Sequence, residues 1–537
     1  MQAWRLRLAA AFLVLCLPYA ALGIWLVQLH GLRSAAAFLV SVTLMLWSIA
    51  LVTRTWRRFF LLQVPLLVLG AAFATYTLTF DSPPGKGIAY VLATSSWDEI
   101  SGFFSVWEGR WLLLAAVALL SVYLLLAARF APRPMSLSGT RYLRWSPLLA
   151  VLFLSVYAAQ DTGASVEGIT ANPLIGTALF VAGPLRQAMA SVGGTALRKV
   201  PYAATRADAT EEVHILVVGE SARRDSWSAY GYRRRTTPYL EKIRDEVILF
   251  QNAVADANLT VYAVPILLTG TTPGRFDMKA ITGNLVDLAG EAGYSTAWLM
   301  NQDPHISLLT GIHADQMVYP QSISTLIGAD LPFDESLLPD LRRLIEVRGK
   351  PRFIGLHIFG SHWDYGSRYP AAFKQFGAGE ELSHVSFLSG EPDTRVLDAY
   401  DNSIAYTDWF LGQVIEQARK LAVPATVTYF SDHGEDLFLL DGRAGHGTHS
   451  YSKHQYAIPG FVWVNSAYRA AHPDKVRAVM QNAAMEIRSH NIFYSLADLM
   501  GIQWPQAIPA ESFASPLFQP DLSAPLIAGG ALIPHAD

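Results

Sequence analysis

The chain has 537 residues, of which 52% are hydrophobic and only 16% charged, and its mean hydropathy is +0.26. Ordinary soluble domains carry about 25% charged residues, so part of this chain is expected inside a bilayer. With 44 acidic against 41 basic side chains the net charge is −3 and no basic block occurs, which sets nucleic acid aside as a partner.

Apolar stretches long enough to cross a bilayer, about 20 residues each, lie near 9–29, 34–52, 59–80, 111–128 and 146–159, the last being short. Arg5 and Arg7 precede the first, Arg54, Arg57 and Arg58 follow the second, and Arg129, Arg133, Arg141 and Arg144 follow the fourth. The opposite loops hold only Arg33, Lys86 and Arg110. Short cytoplasmic loops collect Lys and Arg, so the N-terminus is expected inside and everything after the fifth span outside. The expected organisation is a five-helix transmembrane domain over 1–160, a linker with room for one interfacial helix over 161–210, and an exported domain over 211–537. The single cysteine, Cys16, falls in the first span. The exported domain therefore has no internal disulfide and relies on core burial, metal, or both.

Beyond the linker, short β-branched or aromatic runs alternate with helical patterns. Strands are expected at 213–219, 247–250, 295–300, 352–359, 426–430 and 461–465, and helices at 238–246, 337–347 and 396–421. Continuous apolar strands separated by helices predict an α/β domain whose mixed, largely parallel sheet lies between helices. In such sheets the chemistry sits beyond the carboxyl ends of the strands. Glu220 follows one strand, His362 another, and Asp432 with His433 a third.

The stretch "YFSDHGEDLFLLDGRAGHGTHSYSKH" concentrates Asp432, His433, Glu435, Asp436, His446, His449 and His454. Carboxylate and imidazole donors around an open position suit a catalytic zinc, whereas His449 and His454 read as residues of a solvated loop. Glu220 reads either as a metal ligand or as an exposed carboxylate at a helix start. Ser221, in "GESAR", lacks the closing glycine of a nucleophile elbow, and a helix cap is its simpler reading. Thr260, just before an apolar run containing Pro265, is either an N-cap or a hydroxyl held at a helix N-terminus beside a metal and a phosphoryl group.

"VVGESARRDSWSAYGYRRRTTPYL", "NLTVYAVPILLTG", "LHIFGSHWDYGSRYP", "YDNSIAYTDWFLG" and "SDHGEDL" followed by "GHG" occur in this order. The series resembles the membrane-bound phosphoethanolamine transferases of the alkaline phosphatase superfamily, a group with sulfatase-like catalytic domains that includes the lipid A modifying enzymes of polymyxin resistance. The resemblance covers nearly the whole chain. It implies an exported domain of alkaline phosphatase-like type in the periplasm, anchored in the bacterial inner membrane. The implied reaction moves phosphoethanolamine from phosphatidylethanolamine to lipid A, a lipopolysaccharide core sugar or another periplasmic glycan, through a phosphoethanolamine-threonine intermediate.

By the same resemblance Glu220, Asp432 and His433 are zinc ligands, and Thr260 is both nucleophile and ligand. His362 and His446 bind substrate phosphate or a second zinc and assist proton transfer. "YVLATSSWDE" is similar to the family's headgroup motif, with Thr94 matching, Asp98 standing in for Glu, and Tyr90 in place of Asn. The chain departs from the lipid A enzymes in lacking their disulfides and their Gly-Cys-Lys loop, where "NQDPHISLL" stands with His305. A sulfatase reaction would need Cys or Ser at the start of "TTPGR", which begins with Thr271. The remaining alternatives are a glycerol phosphate transferase or phosphodiesterase on the same fold, or a catalytically silent envelope sensor.

Overall fold

The computed structural model describes residues 2–53, 55–80, 84, 89, 107–130, 170–186, 189, 200–206, 210–302, 311–319, 332–377, 392–439, 444–447 and 451–535. The chain divides into two compact units, Met1–Ala89 with Gly109–Ala188, and Tyr90–Glu108 with Met189–Asp537.

The first unit is helical: α1 (Gln2–Thr53), α2 (Trp56–Leu62), α3 (Val64–Phe80), all but the first two residues of α4 (Trp107–Ala128), and α5 (Pro173–Phe180). Gly31, at φ 81°, breaks α1 in a conformation that glycine adopts without strain. The break leaves two candidate spans, Leu6–Gln28 and Gly31–Ala50. The third expected span is divided between α2 and α3, which bend by 42° and count as one crossing only if taken together. The apolar part of α4, Ala116–Ala128, is shorter, and the fifth expected span lies outside the described residues. Among the described residues, then, two helices are long and apolar enough to cross a membrane, or three with the bent pair. Inside the unit, Phe12, Trp56, Phe59, Phe60, Tyr123 and Phe130 pack ring against ring, and Tyr123 Oη donates to the Phe60 carbonyl at 2.9 Å. An unsatisfied phenol would be costly there.

The second unit is organised by a seven-stranded sheet. Its strands are β1 (Val213–Gly219), β2 (Val247–Leu249), β3 (Ser295–Met300), β4 (Gln316–Val318), β5 (Arg352–His357), β6 (Ala425–Ser431) and β7 (Gly460–Val464). Their spatial order is β2-β7-β6-β1-β5-β3-β4. The four contacts among β6, β1, β5, β3 and β4 are parallel, while β7 runs antiparallel to both β6 and β2. The sheet is thus mixed and largely parallel, as the strand pattern predicts. The three-residue β4 is too short to show a period in the sequence.

All seven residues of β1 are buried, and alternation sends them to two cores. Leu216 and Val218 join Val264, Leu267 and Leu268 of α6 (Thr260–Thr269). Ile215 and Val217 join Trp227 and Tyr400, Ile404 and Leu411 of α7 (Thr394–Arg419). Helix α7 starts two residues before its expected position, where Asp393 caps it by accepting from Arg395 N. The helix expected over 238–246 stops at Lys242, because the edge strand β2 begins at Val247.

Register fixes what emerges at the carboxyl edge. Gly219 lies opposite Ser431 in the β1–β6 ladder, so the next residues, Glu220 and Asp432, leave the sheet side by side. A Cβ on Gly219 would stand 2.3 Å from Tyr429 Oη, so only glycine fits beneath this edge.

Candidate metal and nucleophile site

Glu220, Asp432 and His433 form a buried group whose donor atoms lie within 4.8 Å of one another. The chain enters it through a left-handed residue, Ser221, at φ 55°. Tyr400 of α7 holds this turn by donating to Ser221 O at 2.7 Å and accepting from Arg223 N at 2.9 Å. Ser221 caps no helix. Its Oγ donates to Glu220 Oε1 at 2.9 Å, which replaces the cap expected from the sequence with a role in orienting the carboxylate. Asp432 Oδ1 accepts from Ser221 N at 3.1 Å and from His433 N at 2.7 Å. Asp432 Oδ2 is buried without a hydrogen-bond partner among the described residues and lies 3.4 Å from His433 Nε2.

Thr260 is the first residue of α6, and the residue flanking the helix is Leu259. Its hydroxyl is therefore free of capping duty. Oγ1 lies 3.2 Å from each Glu220 oxygen and 3.3 Å from His433 Nε2, at a helix N-terminus whose partial positive charge favours an oxyanion.

Four histidines lie around this point; His357, on β5, brings Nε2 to 4.0 Å from Glu220, and the other three share a common arrangement. His433 Nδ1 donates to the Gly434 carbonyl at 2.9 Å, His362 Nδ1 to the Trp363 carbonyl at 2.6 Å, and His446 Nδ1 pairs with the Glu435 carboxylate at 3.1 Å. Each tether leaves Nε2 as the presented atom, the usual way a ligating or proton-transferring imidazole is fixed. The His446 ring centre is 4.2 Å from that of His433 and 6.4 Å from that of His362.

Electrostatics are those of a crowded acidic pocket. Burial works to raise the Glu220 carboxyl, but its hydrogen bond and charge interaction with His433 bring it below the usual range. Asp432 is pushed up to about 7 by burial and by the Glu220 charge. Burial opposes a proton on His433, and the Asp432 and Glu220 carboxylates overcome it, raising the imidazole to about 10. His362 is lowered to about 4, mainly by burial. Two carboxylates, one of them with an oxygen left without a hydrogen-bond partner among the described residues, an imidazole and a hydroxyl converge, so these side chains fit a divalent cation that would take the place of the shared protons.

Two further side chains support the cluster, Gln302, which the sequence pattern leaves unmarked, and Glu435, which lies in the acidic and histidine-rich stretch. Gln302, just beyond β3, donates from Nε2 to Glu220 Oε2 and to the Ile358 carbonyl, both at 3.1 Å. Glu435 is fully buried and holds His446. The strand-end rule that picks out Glu220 would also have found Gln302. A further support, Asp334, accepts from Phe359 N and Gly360 N and so fixes the turn that leads to His362. The expected headgroup residues Thr94 and Asp98, with Tyr90, lie outside the described residues, as does His449. His454 is tied to Asp225 at 2.7 Å and takes no part in the cluster.

The Sulfatase family model matches residues 213–502. Among relatives, the chain is 31% identical over 297 residues to a putative transferase, YhbX, of Escherichia coli K12, covering 55% of this chain and 50% of that protein. It is 30% identical over 265 residues to the phosphoethanolamine transferase EptA of Helicobacter pylori, covering 48% of this chain and 49% of that protein. The chain thus spans about half the length of the curated relatives it matches. Among solved structures, the integral membrane lipooligosaccharide phosphoethanolamine transferase EptA of Neisseria meningitidis aligns with a TM-score of 0.68 and 22% identity over 94% of this chain and 97% of that one. The periplasmic domain of EptC from Escherichia coli, in complex with Zn, aligns with a TM-score of 0.55 and 23% identity over 63% of this chain and 96% of that one. These likenesses extend the fold to both units, and the family match covers more than half of the sequence. The chain belongs to the sulfatase family.

Proposed function

We propose that this protein transfers phosphoethanolamine from phosphatidylethanolamine to a hydroxyl or phosphate of a cell-envelope acceptor, by way of a phosphoethanolamine-threonine intermediate on Thr260. The observation that carries the reading is the Thr260 hydroxyl, held at the start of α6 within 3.3 Å of both Glu220 and His433. The relatives named as phosphoethanolamine transferases support the choice of group transferred.

In the first half-reaction, Thr260 Oγ1 gives up its proton and forms a bond to phosphorus while the bond from phosphorus to the diacylglycerol oxygen breaks, and the leaving oxygen takes up a proton; the Thr260 oxygen regains a proton when it is displaced in turn. In the second, an acceptor oxygen displaces Thr260 and gives up its proton. His362 and His446 present Nε2 atoms suited to holding and passing those protons. Glu220, Asp432 and His433, with Thr260, would hold zinc, which when bound lowers the pKa of a coordinated hydroxyl and offsets charge on the phosphoryl group. Glu435 and Gln302 keep His446 and Glu220 in place. Because a two-chain lipid donor is met at the bilayer surface, the apolar N-terminal helices suit an inner-membrane enzyme with its catalytic domain in the periplasm. The reading assigns 1–160 to the membrane domain, 161–210 to a linker and 211–537 to catalysis, with Thr94 and Asp98 meeting the lipid headgroup.

The test is mass spectrometry of lipid A, core oligosaccharide and periplasmic glycans from cells carrying the wild-type chain or Thr260→Ala. A phosphoethanolamine increment on one of these with the wild type alone is expected. Its absence from all of them overturns the reading.

A further inference from the structure

Three segments must keep a common geometry for the site to work: the loop entering α6 at Thr260, the turn after Asp432 and His433, and the Gly445–Gly447 stretch carrying His446. None is adjacent to the others in sequence, and only the Asp432–His433 turn directly follows a strand of the main sheet. Gln455, on the short helix Lys453–Tyr456, touches all three and is 1% exposed. Its Oε1 accepts from Asn258 Nδ2 at 2.7 Å, two residues before Thr260. Its Nε2 donates to the Gly445 carbonyl at 3.3 Å, one residue before His446. Its backbone carbonyl accepts from Gly434 N at 2.8 Å, one residue after His433.

Asn258 extends this node. Its Oδ1 accepts from Gly529 N at 2.9 Å, and its backbone N donates to Ile527 O at 3.2 Å, so the C-terminal hairpin Leu526–Ala528 with Ala531–Ile533 is tied to the same loop. Close packing at the node leaves no room for slack. A Cβ on Gly434 would meet the His454 carbonyl at 2.2 Å, and one on Gly447 would meet Leu259 Cδ2 at 2.7 Å.

We propose that Gln455 is a positioning residue that locks the Thr260, His433 and His446 segments into one body, with Asn258 as its partner. The amide suits the task, because one side chain supplies an acceptor toward one segment and a donor toward another. A leucine would fill the space and supply neither. A glutamate would keep the acceptor for Asn258 but set a second oxygen against the Gly445 carbonyl. The inference rests on the proposed use of the site, but the lock itself is a property of the fold and is measurable without turnover.

The experiment uses the full chain in detergent, as wild type, Gln455→Leu, Gln455→Glu, Asn258→Leu and the Asn258→Leu/Gln455→Leu double variant. Zinc affinity is read by chelator competition, and amide hydrogen exchange is read in peptides covering 256–262 and 444–447. Loss of a group hydrogen-bonded directly to a metal ligand typically costs 10–100-fold in metal affinity; these side chains act one bond further out, so each leucine variant should lose less than that, about three- to tenfold. The double variant should lose little beyond either single one, because the same link is cut. Exchange should quicken in both peptides together for Gln455→Leu and chiefly in 444–447 for Gln455→Glu. Losses that simply multiply, or quickened exchange confined to 451–456, would overturn the proposal. If Gln455→Leu fails to fold, the one-atom change Gln455→Glu decides alone: unchanged exchange at 444–447 refutes the lock. Wild-type protein that binds zinc yet transfers no phosphoethanolamine would refute the proposed function and leave this result standing.

Discussion

Asp256 sits fully buried, four residues before Thr260, between Arg488 and His490. Its Oδ1 receives Arg488 Nε at 2.9 Å and Nη2 at 2.7 Å, and its Oδ2 receives both the backbone N and Nδ1 of His490 at 2.8 Å. The guanidinium has no exposed surface, its other contacts being the Ala524 and Pro525 carbonyls and, at 3.8 Å, Glu486. Asp256→Asn keeps the shape and removes the charge, leaving the buried Arg488 with only the more distant Glu486 as a counter-charge, and breaking a buried pair costs about 3–5 kcal/mol in comparable cases.

The charges around His490 point to a similar magnitude. Burial alone would lower it, but Asp256 and the nearby Glu511, 3.4 Å from Nε2, raise it to about 9 from 6.5. At about 1.4 kcal/mol per pH unit that difference is worth about 3 kcal/mol, in line with the first figure. Because the folded value is the higher one, this stability is complete below about pH 6.5 and lost as pH rises through about 9. Asp256, held at about 2 by His490 and Arg488 against the effect of burial, behaves oppositely: its contribution is present above its ordinary 3.8 and lost as pH falls through 2. Urea unfolding of the detergent-solubilised chain, read by pulse proteolysis of the catalytic unit, should show a loss of about 3–5 kcal/mol at pH 6 for Asp256→Asn. The decline between pH 6.5 and 9 should flatten with it. A loss under about 1 kcal/mol with the alkaline decline intact would mean that Asp256 does not hold Arg488 and His490 in this way.

Glu220→Gln removes a charged donor from the buried cluster and should weaken zinc binding by more than the 10–100-fold typical of outer-shell losses, as read by chelator competition. Ser221→Ala deletes one hydrogen bond to Glu220, worth about 1 kcal/mol, and should lower kcat/KM by less than about tenfold. Gly219→Ala drives a methyl into Tyr429, and overpacking of this kind costs about 1–3 kcal/mol, so thermal unfolding and metal content should fall together. Glu435→Gln removes the charge paired with His446 and should depress kcat while leaving the zinc affinity of the Glu220 cluster within a few-fold of wild type.

The sheet and much of its carboxyl edge are legible in the sequence because both rest on local pattern. The β1 run Val213–Gly219 and the β6 run ending in Ser431 read as buried parallel strands, and the residues that follow them are the buried acids and His433. Thr260 is not legible in the same way. It arrives on α6, and its distance from Glu220 depends on tertiary packing of Val264, Leu267 and Leu268 against the sheet. Ser221 misleads for a related reason, since its left-handed backbone is stabilised by Tyr400, almost two hundred positions away in the chain. Gln302 and Glu435 sit where strand ends and the acidic stretch draw attention, but their hydrogen bonds to Glu220 and His446, like those of Gln455, run across the fold, and no periodicity announces such partners. In the membrane unit, hydropathy locates apolar segments well, but the break at Gly31 and the bend at Gln63 decide how each is divided.

The most direct measurement of the central claim is intact-protein and peptide mass spectrometry of the full chain after brief incubation with phosphatidylethanolamine, zinc and no acceptor. A phosphoethanolamine adduct is expected on the peptide bearing Thr260, absent in Thr260→Ala and discharged when acceptor is added. Transfer to acceptor that proceeds undiminished in Thr260→Ala, or an adduct on another residue that discharges at the turnover rate, would contradict it.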